Sequence, residues 1–152
     1  MNTILFALTI FLLGTMYSFL FEYVVHRYVL HNRKLFKSAF KNHFKRHHGR
    51  SRKNDMYDVG YERLISSYFE VISLTLIAIL HTPIIFVSGF LYSVILMNLI
   101  HYYVIHKKSH IDTEWGKKNL PWHYEHHMGK DQNINWGVRS PIIDKLVGTS
   151  KY

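Results

Sequence analysis

The sequence predicts an all-α integral membrane protein. About three transmembrane helices, one N-terminal span and a helical hairpin, carry a cytoplasmic histidine-rich helical cap. Three observations predict this class. Thr3 to Phe21 is 19 residues without a charged side chain, and Leu64 to Ile100 is 37 residues with one, Glu70. Lys and Arg gather beside these stretches, in what become the loops on one side. Ten of the 12 histidines fall in four clusters on that same side.

The first apolar stretch matches the ~20 residues that cross a bilayer once. It is expected to remain as a span, because no basic residue precedes it and no small-residue cleavage site follows. Helix is expected over about 3–30, with a cytoplasmic helical segment over about 34–48 and a loop over about 49–60. The second stretch is too long for one span at about 1.5 Å per residue. His81-Thr82-Pro83 breaks it, giving a hairpin within 61–106. The tail from 107 carries turn signals at Gly116, Pro121, Gly129, Gly137, Pro141 and Gly148, so short elements are expected there. The whole is expected to be a single domain over residues 1–152. Its spans lie at about 3–25, 64–80 and 84–105, and its cap is formed by 26–60 and 106–152.

Charge sets the expected orientation. Residues 26–53 hold ten Lys or Arg and no carboxylate, and Lys107, Lys108, Lys117 and Lys118 follow the third span. The N-terminal tail and the 81–83 turn hold no Lys or Arg. Positive charge stays in the cytoplasm, which places 26–60, 107–152 and the C-terminus there. This topology accounts for the net charge of +9 without nucleic-acid binding. The absence of cysteine excludes a disulfide scaffold, a thiolate zinc finger, a Cys-ligated iron–sulfur cluster and a c-type haem. No phosphate-binding glycine loop is present.

The clusters are His26 and His31; His43, His47 and His48; His101 and His106; and His123, His126 and His127. Spacings of three and four share a helix face, so His43 with His47, and His123 with His126 or His127, can point at one centre. His26 and His31 are five apart, about 140° around an ideal helix. They share a site only if the helix end unwinds, or else they serve different metals; His101 and His106 pose the same problem. Imidazole binds iron, zinc, copper and nickel, and ten convergent histidines suggest two metals. His81, at the opposite face, reads as an interfacial or hydrogen-bonded side chain. Glu22, four residues before His26, and Glu125, beside His126, are candidates to orient ligating imidazoles; Glu22 could instead be an interfacial carboxylate paired with Arg27 or a neighbour. Tyr23, Tyr28, Tyr102, Tyr103, Trp122 and Trp136 suit an interfacial belt.

At EYVVHRYVLH (22–31), HFKRHH (43–48), HYYVIH (101–106), WHYEHH (122–127) and NWGVRSPIIDKLVGT (135–149), the chain resembles the fatty acid hydroxylase/sterol desaturase superfamily of membrane oxygenases. The segments occur in family order, divided by the membrane hairpin. The resemblance implies a two-metal centre at the cytoplasmic face, di-iron in the working enzyme, with zinc able to occupy it in isolated protein. The ligands it implies are His26, His31, His43, His47, His48, His101, His106, His123, His126 and His127. His110 is the reserve for His106, because members continue the HYY box with a histidine where this chain has Ile105. Asn54-Asp55-Met56-Tyr57 is similar to a stretch of bacterial carotenoid hydroxylases.

The function so implied is O2-dependent hydroxylation or desaturation of a lipid C–H bond in lipid biosynthesis, with the spans holding the chain. The electrons must come from an external ferredoxin-like or haem carrier, and the basic 32–53 segment could dock an acidic one. A carotenoid-type ring hydroxylase is the alternative enzyme. A membrane metal-binding or transport protein is the alternative of another class, although the spans hold few ionisable groups for a pathway.

Overall fold

The computed structural model describes residues 2–63 and 68–152. Among them every regular element is helical. Helix α1 (Thr3–Val25) runs directly into a π-helical turn, His26–Leu30. Asn2 caps α1 by accepting the Ile4 N–H at 3.1 Å. Helix α2 (Lys37–Phe40), a π-helical segment (Lys41–His48) and α3 (Gly49–Lys53) form one continuous rod. The helical cap segment therefore extends to residue 53, further than its expected end. Helix α4 (Tyr68–Leu80) and α5 (Gly89–Ile111) form the hairpin. The tail holds α6 (Thr113–Asn119), α7 (Pro121–Met128) and α8 (Ile142–Val147).

Among the described residues three helices are long and apolar enough to cross a bilayer: Thr3–Leu30, Tyr68–Phe86 and Gly89–Ile111. The expected beginning of the second span, near residue 64, lies outside the described residues. Its break falls where proline predicts it. Thr82–Phe86 is a short 3-10 turn with Pro83 in its first turn, and Ser88 then caps α5 by accepting the Leu91 N–H at 3.1 Å. The spans show bulky apolar side chains outward, with Leu12 at 61%, Leu76 at 60% and Phe86 at 92% exposure. Lipid covers such faces at no cost, while each helix satisfies its own backbone.

Helix α1 approaches α5 closely because Gly14 has no side chain. A Cβ there would meet Leu91 Cδ1 and Val94 Cγ1 at 2.9 Å. Small residues at helix crossings allow this approach in membranes. Asn98 adds a donation to Thr15 Oγ1 at 3.4 Å, and Tyr92 ties α5 to α4 through the Ala78 carbonyl at 3.3 Å.

The tail folds back under α1. Tyr23, Trp136 and Ile143 form its apolar core, with Phe19 packed beside them. Tyr23 and Trp136 are thus buried rather than part of an interfacial belt, whereas Tyr28 is 45% exposed. Buried Asp144 organises the closing segment. It accepts the Trp136 N–H at 2.9 Å, the Gly137 N–H at 2.7 Å and the Thr149 hydroxyl at 2.7 Å. Gly148 takes φ 74° just after α8, a left-handed turn that glycine adopts without steric cost.

Glu22 is spent on the same tail. Its Oε1 accepts the backbone N–H groups of Val138 (2.5 Å) and Arg139 (3.1 Å), and its Oε2 accepts Arg139 Nε at 2.7 Å. Arg139 also donates to Asn98 Oδ1 at 2.6 Å. Glu22 therefore neither orients His26 nor pairs with Arg27, the two roles expected of it. Arg27, the nearer cation, donates instead to the phenolic hydroxyl of Tyr23.

Candidate metal centre

Two groups of histidines, all buried except the half-buried His31, lie side by side at one end of the helix bundle. The first is His26, His31, His43, His48 and His126; the second is His47, His106, His110 and His127. In each group one ligand atom per residue lies within 4.8 Å of the others. In the first, His26 and His43 approach through Nε2 at 2.9 Å, His31 and His48 at 3.2 Å, and His126 and His31 at 3.3 Å. His123 abuts the second group, its Nε2 3.3 Å from that of His110. The adjacent pairs divide: His48 and His126 face the first group, His47 and His127 the second. The rings of His48 and His127 stack at 3.9 Å where the groups meet.

Backbone winding brings these residues together. His26–Leu30 and Lys41–His48 are π-helical, and the His31 N–H bonds the His26 carbonyl at 3.2 Å. An i to i+5 bond stacks residues five apart, one turn above another. His26 with His31, and His43 with His48, therefore share a face despite their spacing. His101 and His106 have that spacing on regular α-helix. His101 is exposed and belongs to neither group. His110, four residues after His106 on the same face, lies in the second group, so both His106 and His110 are there. His81 sits at the other end of the bundle, bonded to Tyr17 and the Ile77 carbonyl.

Five of the Nδ1 atoms are held by oxygen acceptors, whereas His48 Nδ1 accepts from the Gln132 amide at 3.1 Å. His26 donates to the Trp136 carbonyl (2.5 Å), His126 to the Ile134 carbonyl (2.7 Å) and His110 to the Met56 carbonyl (2.7 Å). His47 donates to Asp58 (2.7 Å) and His106 to Glu70 (2.6 Å). Such bonds fix the tautomer and leave the Nε2 lone pair free for a metal. His126 thus takes its support from a carbonyl, not from Glu125. Left-handed backbone lies at or between three of these acceptors. Asn135, at φ 55°, lies between the Ile134 and Trp136 carbonyls, and Met56, at φ 75°, presents its own. Asparagine tolerates that conformation locally. A long apolar side chain there is strained, and such strain gathers at functional sites.

Sequence reading missed Asp58 as a supporting residue, because it sits in a polar loop with no distinguishing spacing. Glu70 carried a signal as the single charge in the apolar hairpin. Asp58 is fully buried and bridged to Arg50 at 2.5 Å as well as to His47. Burial alone would raise its pKa, but the bonds from His47 and Arg50 prevail and hold it at about 2. Arg50 and Arg52 are structural, Arg52 donating to the His127 and Gly129 carbonyls. Lys41, Lys45 and Arg46 remain exposed.

The set suits a metal. Buried His47 Nε2, His106 Nε2, His123 Nδ1 and both nitrogens of His127 have no hydrogen-bond partner among the described residues. Orphaned buried polar atoms are costly, and a metal is the partner that neutral imidazoles accept. Burial, reinforced by neighbouring imidazoles, lowers His43, His48, His123 and His127 well below the ordinary value. His31 is pushed down to about 2 and His126 to about 4, from 6.5.

Histidines that are neutral when folded bind protons more readily when unfolded, so stability rises with pH between the two values. The stability is fully present above about 6.5 and is lost as pH falls toward about 4. Metal-free protein is expected to unfold across that window, with bound metal shifting the transition lower. Circular dichroism against pH checks both. A transition indifferent to metal would contradict the assignment.

A cavity opens beside both groups, between α1, α4 and α5. Its walls include His26, His43, His47 and His106 at one end, then the apolar side chains of Phe21, Leu74, Ile95 and Leu99.

The family model described as fatty acid hydroxylase matches residues 11–149. No curated protein and no solved structure matches the chain significantly.

Proposed function

The chain belongs to the fatty acid hydroxylase family, and from that premise we propose that it hydroxylates or desaturates a lipid C–H bond with O2 on a di-iron centre. The observation that carries the proposal is the apolar cavity running between the spans and ending on members of both histidine groups. One metal would be held by His26, His31, His43, His48 and His126. The other would be held by His47, His106, His110 and His127, with His123 beside it. This ligand set omits His101 and adds His110. The metals, when bound, supply the O2 activation that breaking an unactivated C–H bond requires.

The protein's own residues supply position and environment. The cavity's apolar wall lays an alkyl chain alongside the ligands and excludes water. Asp58 and Glu70 hold His47 and His106 by Nδ1 and place negative charge against an otherwise all-imidazole shell. The Ile134 and Trp136 carbonyls hold His126 and His26 in the same way. Hydroxylation takes up two electrons and two protons for each O2, leaving one oxygen in the alcohol and one in water. An external carrier provides the electrons, docking on the exposed Lys41, Lys45 and Arg46, which face the cytoplasm in this reading.

The test is turnover of iron-loaded protein in lipid vesicles with a reduced acidic carrier and isotopically labelled O2. Acyl lipid and carotenoid are supplied in separate arms. The expected product is a labelled hydroxy-lipid, or an O2-dependent alkene, in the acyl arm. Charge reversal at Lys45 and Arg46 should slow carrier-supported turnover without changing metal content. Labelled product in the carotenoid arm alone would assign the ring hydroxylase. Metal flux across the vesicle without product in either arm would sink the oxygenase reading.

A further inference from the structure

At the end of the cavity away from the metal histidines lies a polar pair that the proposed chemistry does not use. His81 is 5% exposed, and its Nδ1 lies 2.8 Å from the Ile77 carbonyl oxygen. A carbonyl only accepts, so Nδ1 carries the proton and Nε2 carries the lone pair. Tyr17 Oη lies 2.7 Å from that Nε2, so the tyrosine hydroxyl donates to it. Tyr17 then has no proton left to give, and its oxygen keeps a lone pair. Phe21 closes edge-on over His81 at 5.0 Å, and all three side chains line the cavity. The far end of an apolar channel is therefore a fixed hydrogen-bond acceptor.

We propose that Tyr17, held by His81, is a subsite for a hydroxyl group on the lipid chain, and that this anchor sets which carbon reaches the metal histidines. The second half rests on the oxygenase reading; the first does not. Tyr17 and His26 are nine residues apart on one helix, about 14 Å at 1.5 Å per residue. Glu70 and His81 are eleven apart, about 16 Å. An extended chain advances about 1.2 Å per bond, as in the ~3.6 Å of three backbone bonds. The substrate class is thus a long-chain lipid whose hydroxyl lies about twelve bonds from the oxidised carbon. A ketone, ester or ether has no proton to offer and is not recognised.

Metal-loaded protein in nanodiscs is titrated with lauryl alcohol and with lauryl methyl ether, binding being read without turnover. The expected result is tighter binding of the alcohol by about five-fold, the value of one net hydrogen bond. Tyr17→Phe alone would bare the His81 Nε2 lone pair as a substitute acceptor, so both are replaced: Tyr17→Phe with His81→Leu should bring the alcohol to the level of the ether, leaving ether affinity and metal content unchanged. Equal binding of the two probes by the unaltered protein overturns the subsite, as does a preference that survives the double variant. In that case the pair only ties α1 to α4. A protein that oxidises no lipid yet prefers the alcohol keeps the subsite and loses the oxygenase. Where turnover occurs, myristyl and palmityl alcohols should be oxidised at one distance from the hydroxyl. A position counted from the methyl end overturns the anchoring role.

Discussion

Replacing His43 and His48 together by alanine is expected to remove one bound metal per chain, and replacing His106 and His110 together to remove the other. Each substitution takes two of the proposed ligands from one histidine group and none from its neighbour. Product formation should fall to background in both cases, because the proposed two-metal chemistry needs both sites. His126→Ala with His127→Ala should weaken both metals at once, since these adjacent residues face different groups. His101→Ala, on an exposed α5 position, should leave two metals in place. Asp58→Asn is a finer probe: it spares every ligand but loosens the His47 tautomer, and affinity at the second site should fall roughly 10–100-fold. Metal-to-protein ratios on detergent-purified variants of unchanged helical content decide the matter. Joint loss of both metals in either pair variant would mean that the groups form one undivided site.

The second large effect is on stability. Arg139→Ala is expected to destabilise the protein by about 3–5 kcal/mol, the cost of breaking a buried ion pair from one side. The side chains of Glu22 and Arg139 are 6% and 3% exposed, so the stranded carboxylate has no water to turn to. Arg139 also donates to Asn98 on α5, and Glu22 holds the backbone of Val138 and Arg139. The damage therefore reaches the segment whose Trp136 carbonyl orients His26. Glu22→Gln combined with Arg139→Met should recover much of the loss, because it removes both charges together. Thermal unfolding of the purified variants reads the difference. A loss in Arg139→Ala within the ~1 kcal/mol of an exposed pair would show that solvent reaches the bridge.

The spans and the histidine boxes were legible because both are local signals: an uncharged run long enough for a bilayer, and a density of imidazole on one side of it. The break at Pro83 was legible for the same reason. Partition of the histidines was not. His26/His31 and His101/His106 have identical spacing, yet the first pair converges and the second does not. The difference lies in π against α winding, which spacing does not reveal. Glu22 pointed to its helix neighbours His26 and Arg27, but its partner lies 117 residues away. Long-range pairing of that kind follows from how the tail folds back, which no local pattern records. Glu70 stood out only because its surroundings were apolar. Asp58, more deeply buried, was hidden among the polar residues of its loop.

The wide-turn segments bear on how such motifs drift over generations. A turn closed from i to i+5 contains one residue more than a turn closed from i to i+4, yet both return the chain to the same side. A codon gained or lost between two paired histidines can therefore be absorbed by rewinding one turn. It need not swing an imidazole out of the centre. A pair spaced by four on α-helix and a pair spaced by five on π-helix then have one geometry, and tolerance to length change should be confined to turns able to rewind. Along α5, where the winding is regular, two imidazoles share a face only at a spacing of three or four, as His106 and His110 do.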